Sequence, residues 1–233
     1  MYTIQDRWEL TRKIFDDLFS HLSSKVKLSK TQTLLEFGIG KWGFGQFYKE
    51  KFDTVYGLDV EDYSSHHPGV KFLLYDGVSP IPVEDKSLDI IVSHSVLEHV
   101  QNLDSSLAEM NRILKVNGIL YLTVNPLYYS SYGSHVNFDG KRLENWEHLQ
   151  ENSEYYLTDN PLKDSKTSGH FLNKMTSSSF LSYVGKQPWN IEDYSVFYER
   201  KEIPKDVDQN KFSQVDLMTK AFRFIGKKRM DLR

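Results

Sequence analysis

The chain has 233 residues, a formal net charge of −3 and no cysteine. The length suits one domain, and the lack of cysteine excludes disulfides, a thiol nucleophile and a thiolate zinc site. The well-mixed charges disfavour nucleic acid as a partner, because nucleic-acid binding normally requires a basic face. We find neither a membrane-spanning apolar run nor a signal peptide, so we expect a soluble, cytoplasmic protein that binds no membrane.

The first half of the chain alternates between predicted helices and short apolar strands. Apolar residues recur at helical spacing over residues 5–25, which predicts an amphipathic helix. Strands are expected at 33–37, 54–60, 70–76, 88–94 and 118–126, and further helices at 43–51 and 103–114. Short apolar strands separated by helices predict a parallel sheet that is covered on both faces.

The pattern changes after Pro126. Residues 127–174 are polar and show no clear period, and a loop this long is uncommon unless it serves as a lid or a binding segment. A helix is predicted at 175–184, and strands at 189–202 and 221–228 predict an antiparallel pair at one edge of the sheet. We therefore expect a single domain with four parts, at residues 1–30, 31–126, 127–174 and 175–233.

A glycine-rich stretch, LLEFGIGKWGFG, follows the first predicted strand. The glycines Gly38, Gly40 and Gly43 would let a ligand approach the backbone closely. Their spacing matches the dinucleotide-binding fingerprint, in which a pyrophosphate lies on a helix N-terminus. Asp59 ends the next strand, where such enzymes bind ribose hydroxyls. One interpretation is therefore that the protein is a nicotinamide-dependent oxidoreductase.

Three features favour a different ligand. Glu36 lies two residues before the first glycine, where it would repel a pyrophosphate but suit a ligand that carries an ammonium and a sulfonium. Asp76 ends the third strand and could accept a hydrogen bond from an adenine amine. Neither Tyr129 nor Tyr132 is followed by lysine in the Tyr-x-x-x-Lys pair that hydride-transferring enzymes of this length usually carry.

Four stretches in order over residues 33–126 resemble the class I S-adenosylmethionine-dependent methyltransferases. They are LLEFGIGKWG, VYGLDV, YDGVSPIPVEDKSLDIIVSHSVLEHV and LAEMNRILKVNGILYLTVNP. The chain is similar to the group that includes the ubiquinone and menaquinone methyltransferases. This resemblance implies a Rossmann-like α/β fold: a seven-stranded, mostly parallel sheet with an antiparallel last strand, helices on both faces and a lid insertion after the fifth strand.

The same resemblance implies S-adenosylmethionine as the cofactor. Glu36 would bind near its ammonium, the glycines near its methionine part, Asp59 at the ribose hydroxyls, and Asp76 with Gly77 at the adenine edge. The family usually has glycine where this chain has Trp42, so Trp42 or Lys41 would pack near the methionine part. The full expected set is Glu36, Gly38, Gly40, Trp42, Asp59, Val60, Asp76, Gly77 and His94.

The residues that bind the methyl acceptor are expected to come from residues 127–174. The stretches SSYGSHVNFDG, NWEHL and GHFLNKMT resemble methyltransferases of bacterial surface-polysaccharide pathways. His135 is the first candidate for a general base and His94 the second. Candidate substrate-binding residues are Tyr128, Tyr129, Asn137, His148 and His170. Glu98 and His99 are interpreted as mainly structural, and no metal site is expected.

The expected function is O-methylation of a small polar acceptor, such as a sugar, a nucleotide sugar or a related metabolite. A histidine suits this reaction at neutral pH because a hydroxyl acceptor benefits from a general base. The alternatives are the oxidoreductase, a non-catalytic subunit with a methyltransferase fold, and a methyltransferase that acts on a protein. The oligomeric state stays open.

Overall fold

A computed structural model describes residues 4–135, 137–138, 141–150, 167–168 and 172–230. The strands are β1 (Thr33–Phe37), β2 (Thr54–Asp59), β3 (Lys71–Leu74), β4 (Leu88–His94), β5 (Leu114–Val124), β6 (Asn137–Phe138), β7 (Lys141–Arg142), β8 (Thr167–Ser168), β9 (Trp189–Tyr198) and β10 (Thr219–Lys228). The helices are α1 (Ile4–Lys25), α2 (Gly45–Lys49), α3 (Leu103–Ile113), α4 (Ser177–Val184) and α5 (Gln214–Met218).

Seven strands form the main sheet in the order β3-β2-β1-β4-β5-β10-β9. Strands β1 to β5 pair in parallel, whereas β10 runs antiparallel to both β5 and β9. The predicted seven-stranded sheet with an antiparallel last strand is therefore confirmed. Because β1, β2 and β4 are parallel neighbours, their ends at Phe37, Asp59 and His94 lie on the same edge.

Alternate residues of the central strands pack on opposite faces of this sheet. Leu34 and Ile90 belong to a buried cluster with Phe15 of α1 and Tyr48 of α2. Their chain neighbours face the other side, in a cluster with α3 and α4 that includes Leu35, Ile91, Met110, Leu120 and Phe180. The strands are apolar on both faces because helices cover both, as the sequence predicted.

Several predicted bounds were wrong. The fifth strand begins at Leu114 rather than at residue 118, because it pairs with β4 at Leu88 and then bulges before pairing resumes at Ile119. The helix α5 was not predicted. Nor was the small sheet β7-β6-β8 within the stretch 127–174, where strands of two residues are too short to show a period. Among the described residues, no helix is long and apolar enough to cross a membrane.

The segment after β5 packs against the C-terminal part of the chain. Trp146 is fully buried in a cluster with Tyr128 and Leu217, and its indole N–H donates to the carbonyl oxygens of Tyr129 and Leu217 at 2.9 and 3.2 Å. This indole therefore ties the segment to α5, which leads directly into β10.

Two neighbouring residues of α4 differ in how deeply they are buried against the sheet. Phe180 is fully buried and stacks on Phe222 with ring centroids 4.5 Å apart, whereas Leu181 is 37% exposed. Phe180→Ala should lower the free energy of unfolding by about 3–5 kcal/mol, because it removes a buried ring and leaves a cavity. Leu181→Ala should change it by about 0.5 kcal/mol or less. Urea denaturation measures both, and equal effects would contradict this packing.

Candidate functional site

The turn after β1 brings the backbone to the edge of the sheet. Gly38 and Gly40 have φ of +75° and +54°, in the left-handed region that favours glycine. A Cβ atom at Gly43 would lie 1.9 Å from the carbonyl oxygen of Ile39, so the turn is too tight for a side chain there. A Cβ atom at Gly40 would meet nothing within 4 Å, which shows open space in front of this residue.

Glu36 stabilises this turn through a hydrogen bond with its backbone. Its side chain is buried, and its two carboxylate oxygens accept the backbone N–H of Phe44 at 2.9 and 3.1 Å. Burial raises the pKa of Glu36 to about 8, the Phe44 N–H opposes that rise, and the nearby charge of Asp59 adds to it. The carboxyl group therefore favours its protonated form until a positive charge or a further donor reaches it.

Asp59 holds the turn from its other side. Its carboxylate accepts the N–H of Gly40 at 2.7 Å and the N–H groups of Val60 and Glu61 at 2.8 and 3.2 Å. Asp76 is exposed and accepts from the backbone and hydroxyl of Ser79, which together with the N–H of Val78 lower its pKa. Asp59 thus ends β2, as predicted, whereas Asp76 lies two residues beyond the end of β3, which stops at Leu74 rather than at residue 76. Both carboxylates also shape local turns.

A cavity of about 650 Å³ lies above this edge of the sheet. It brings together six of the predicted cofactor residues: Gly38, Gly40, Asp59, Val60, Asp76 and Gly77. Its walls also include Phe37, Leu58, Tyr75 and Val96, which the prediction did not name. This space, called here the nucleoside cavity, combines apolar walls with carboxylates, as small-molecule sites usually do.

A second cavity, of about 1000 Å³, lies on the other side of the glycine turn. It contains the remaining predicted cofactor residues, Glu36, Trp42 and His94, and it shares Gly38, Gly40 and Ser95 with the nucleoside cavity. The two spaces therefore meet at the turn. We call this second space the α1 cavity, because α1 forms one of its walls.

His94 is held by two hydroxyl groups. Its Nε2 lies 2.8 Å from the hydroxyl of Tyr48, and its Nδ1 lies 3.1 Å from that of Thr123. Burial lowers the pKa of His94 to about 3, and the charge of Arg223 adds to this effect. His94 is therefore neutral at pH 7 and a weak base. This environment fits a positioning role better than the general-base role considered from the sequence.

Trp42 takes the place where the family usually has glycine. Its ring meets the edge of Trp8 with centroids 6.1 Å apart, and the guanidinium of Arg7 lies over it at 5.0 Å. Both partners come from α1. Trp42 therefore joins the glycine turn to this helix and forms part of the wall of the α1 cavity.

Of the predicted acceptor residues, Tyr128, Tyr129 and His148 are not among the described residues that line the two cavities. Tyr128 and His148 are buried against each other, and Nε2 of His148 donates to the Tyr128 carbonyl at 2.8 Å. Burial lowers the pKa of His148 to about 4. Tyr129 packs on Phe212. Asn137 lies in β6, and His170 lies outside the described residues.

His135 lies near the end of β5 with an unusual backbone conformation, φ of +52°. Its Nε2 lies 3.1 Å from the carbonyl oxygen of Pro126, and its Nδ1 lies 3.3 Å from Nε2 of His99. His99 in turn lines the nucleoside cavity. The structure thus brings His135 next to the stretch that was interpreted as structural.

Sequence reasoning missed the residues that α1 and β10 contribute to the α1 cavity. Four are basic: Arg7, Lys13, Lys220 and Arg223. The acids in the same wall are Asp17, which pairs with Arg223, and the buried Glu36. No motif marks these positions, because they become neighbours only when β10 inserts beside β5 and α1 packs across it.

Residues 35–122 match the family model described as a methyltransferase domain. This stretch of the chain is a methyltransferase domain. The predicted enzyme class and cofactor are therefore confirmed. A comparison with curated proteins finds no matching sequence.

Solved structures share the fold of this methyltransferase at low sequence identity. The YcgJ protein from Bacillus subtilis is 16% identical, with a TM-score of 0.59 and coverage of 92% of this chain and 99% of that one. An S-adenosylmethionine-dependent methyltransferase from Mesorhizobium loti is 13% identical, with a TM-score of 0.57 and coverage of 90% and 96%. The [4+2]-cyclase SpnF is 15% identical, with a TM-score of 0.56 and coverage of 92% and 80%. These likenesses show the fold, which the cyclase also has.

The residues present fit S-adenosylmethionine. Open space in front of the Gly40 backbone leaves room for a close ligand, and the carboxylates of Asp59 and Asp76 border a cavity with apolar walls. Buried Glu36 lies beside the neighbouring space, where a cationic group would favour its charged form. The methyltransferase thus has both polar and apolar groups suited to a positively charged nucleoside.

The raised pKa of Glu36 makes the stability of the ligand-free methyltransferase depend on pH. The folded protein binds this proton more tightly than the unfolded chain, so the stabilisation is full below about pH 4.5 and is lost as the pH rises towards about 8. Glu36→Gln keeps an acceptor for the Phe44 N–H but cannot ionise. The difference in Tm between this variant and the wild type should therefore grow from about pH 5 to about pH 8. Parallel Tm curves in calorimetry would contradict the assignment.

Proposed function

We propose that this methyltransferase transfers the methyl group of S-adenosylmethionine to a hydroxyl oxygen of a small polar acceptor, such as a nucleotide sugar or another phosphorylated sugar. The observation that carries the proposal is the junction of two cavities at the glycine turn. The nucleoside cavity has the carboxylates suited to a ribose and an adenine, and the α1 cavity adjoins it at Gly38, Gly40 and Ser95. The phosphate of the acceptor binds in the α1 cavity, beside the methionine part of the cofactor, and its hydroxyl reaches the junction of the two cavities.

When bound, S-adenosylmethionine supplies a methyl group that leaves the sulfur without its bonding electron pair and joins the acceptor oxygen. The residues of this chain then bind the cofactor and the acceptor, align the acceptor oxygen with the methyl group and exclude water. Such alignment lowers the activation barrier by about 7–11 kcal/mol. Glu36 and Asp59 hold the turn on which both ligands meet. His94, fixed by Tyr48 and Thr123, forms a rigid wall beside it.

The charge of the α1 cavity supports an acceptor that carries phosphate. Lys13 and Lys220 lie in its wall, and neither side chain makes an ion pair or a hydrogen bond with another described residue. Arg7 adds a third positive charge over Trp42. Basic side chains are suited to phosphate groups. This favours a nucleotide sugar or sugar phosphate over a neutral glycan.

We further propose that His135 activates the acceptor hydroxyl. The support is its position after β5, its positive φ and its contact with His99, which lines the nucleoside cavity. Non-glycine residues rarely take this backbone conformation without a local reason. A role in the cytoplasm, without a nucleic-acid or membrane partner, remains our prediction from composition.

Ligand-induced stabilisation tests the cofactor site. S-adenosylhomocysteine at about a hundredfold excess over its Kd should stabilise the folded enzyme by about 2.7 kcal/mol, whereas NADH should not raise the Tm. Asp59→Ala should abolish most of the Tm shift. Asp53→Ala is the matched control, because Asp53 is exposed just before β2, at the other end of that strand. Stabilisation by NADH alone would support the oxidoreductase and overturn the proposal.

The rate of methyl transfer tests both the proposed class of acceptor and the proposed role of His135. Release of S-adenosylhomocysteine should be seen with nucleotide sugars or sugar phosphates and be weaker with neutral glycans. His135→Ala should lower turnover by at least about tenfold, since activation of a hydroxyl by a positioned group accelerates a reaction on the order of 10²–10⁴-fold. The affinity for S-adenosylhomocysteine should stay within error of the wild type. An unchanged turnover would remove His135 from the mechanism.

A further inference from the structure

Three side chains that could bind a metal ion converge beside the nucleoside cavity. One carboxylate oxygen of Glu98 and one ring nitrogen each of His99 and His135 all lie within 4.8 Å of one another. Glu98 and His99 belong to the one-turn helix after β4, and His135 comes from the segment after β5. The parallel pairing of these two strands therefore brings together ligands that are distant in the sequence.

The carboxylate of Glu98 is the unusual member of this group. Its side chain is only 3% exposed, and no well-aligned hydrogen bond reaches either of its oxygens among the described residues, although the backbone N–H groups of Glu98 and Asn125 lie nearby. A buried carboxylate is costly unless it is hydrogen-bonded, paired with a charge or bound to a metal. One of its oxygens lies within 4.8 Å of a ring nitrogen of His99 and of one of His135.

The hydrogen bonding of His135 leaves one of its ring nitrogens unprotonated and therefore able to bind a metal. The Pro126 carbonyl can only accept a hydrogen bond, so Nε2 of a neutral His135 carries the proton. Its Nδ1 then presents a lone pair toward His99. Metal-binding histidines typically donate their other ring N–H to a backbone carbonyl or a carboxylate in this way.

The spacing of the two rings also fits one ion. Two nitrogens that bind the same tetrahedral zinc at about 2.0–2.1 Å lie about 3.3–3.4 Å apart. The separation between Nδ1 of His135 and Nε2 of His99 is 3.3 Å. A set of two histidines and one carboxylate is typical of catalytic divalent ions, because it leaves a coordination position open.

We propose that Glu98, His99 and His135 bind a divalent transition-metal ion of the zinc type, whose open position takes the acceptor's hydroxyl. This inference rests on the proposed function and gives His135 the role of a ligand. A bound cation makes a hydroxyl more acidic. The oxygen–hydrogen bond breaks, the proton passes to water, and the electron pair stays on the oxygen that receives the methyl group. His99 lines the nucleoside cavity, so the site adjoins the bound cofactor.

Titration with Co²⁺ tests this site without any acceptor. The full chain, dialysed against a chelator, should bind one equivalent of Co²⁺ and show the visible absorption of a four- or five-coordinate ion, and Zn²⁺ should displace it. Glu98→Gln and His135→Asn should each weaken the binding by at least about tenfold, since each removes a ligand. His66→Ala, which changes an exposed histidine outside the group, should bind as the wild type does.

The outcomes separate the two proposals. A wild-type chain that binds S-adenosylhomocysteine but gives no saturable Co²⁺ spectrum would overturn the metal site and leave methyl transfer standing. Variants that bind Co²⁺ as tightly as the wild type would also overturn it. Circular dichroism checks that the variants fold; if either variant fails to fold, the wild-type titration and the other variant decide.

Discussion

The turn after β1 is the constraint on which the site depends. The chain must leave the sheet, pass close to a ligand and enter α2 within a few residues, and only glycine fits at its tightest points. The carboxylates of Glu36 and Asp59 hold this backbone by accepting N–H groups of Phe44 and Gly40. The same two acids border the cavities, so the groups that shape the turn also set the charge that a ligand meets.

The division into two cavities follows from this turn and from the order of the strands. The nucleoside cavity lies over β1 and β2, where strand ends supply carboxylates. The α1 cavity is completed by β10, which enters the sheet antiparallel beside β5 and carries Lys220 and Arg223 to its wall. A mainly acidic binding site thus adjoins a mainly basic one. That contrast suits a cationic cofactor on one side and an anionic acceptor on the other.

The sequence predicted the fold well because the central strands β1, β4 and β5 bury apolar residues on both faces. The nucleoside cavity was predictable because Asp59 ends β2 and Asp76 follows β3 at the same edge of the sheet. The basic wall was not, because Lys13 and Lys220 come to line the same cavity only through the long-range packing of α1 and β10. Nor was the group of Glu98, His99 and His135, whose members come from two separate segments and form no motif in the sequence.

The position of bound S-adenosylhomocysteine in a crystal structure decides whether the two cavities divide the ligands in this way. The nucleoside should lie in the cavity bordered by Gly40, Asp59 and Asp76, with the sulfur near Gly38 and Ser95, where the two cavities meet. A nucleoside bound elsewhere, or a sulfur that faces away from the α1 cavity, would contradict it.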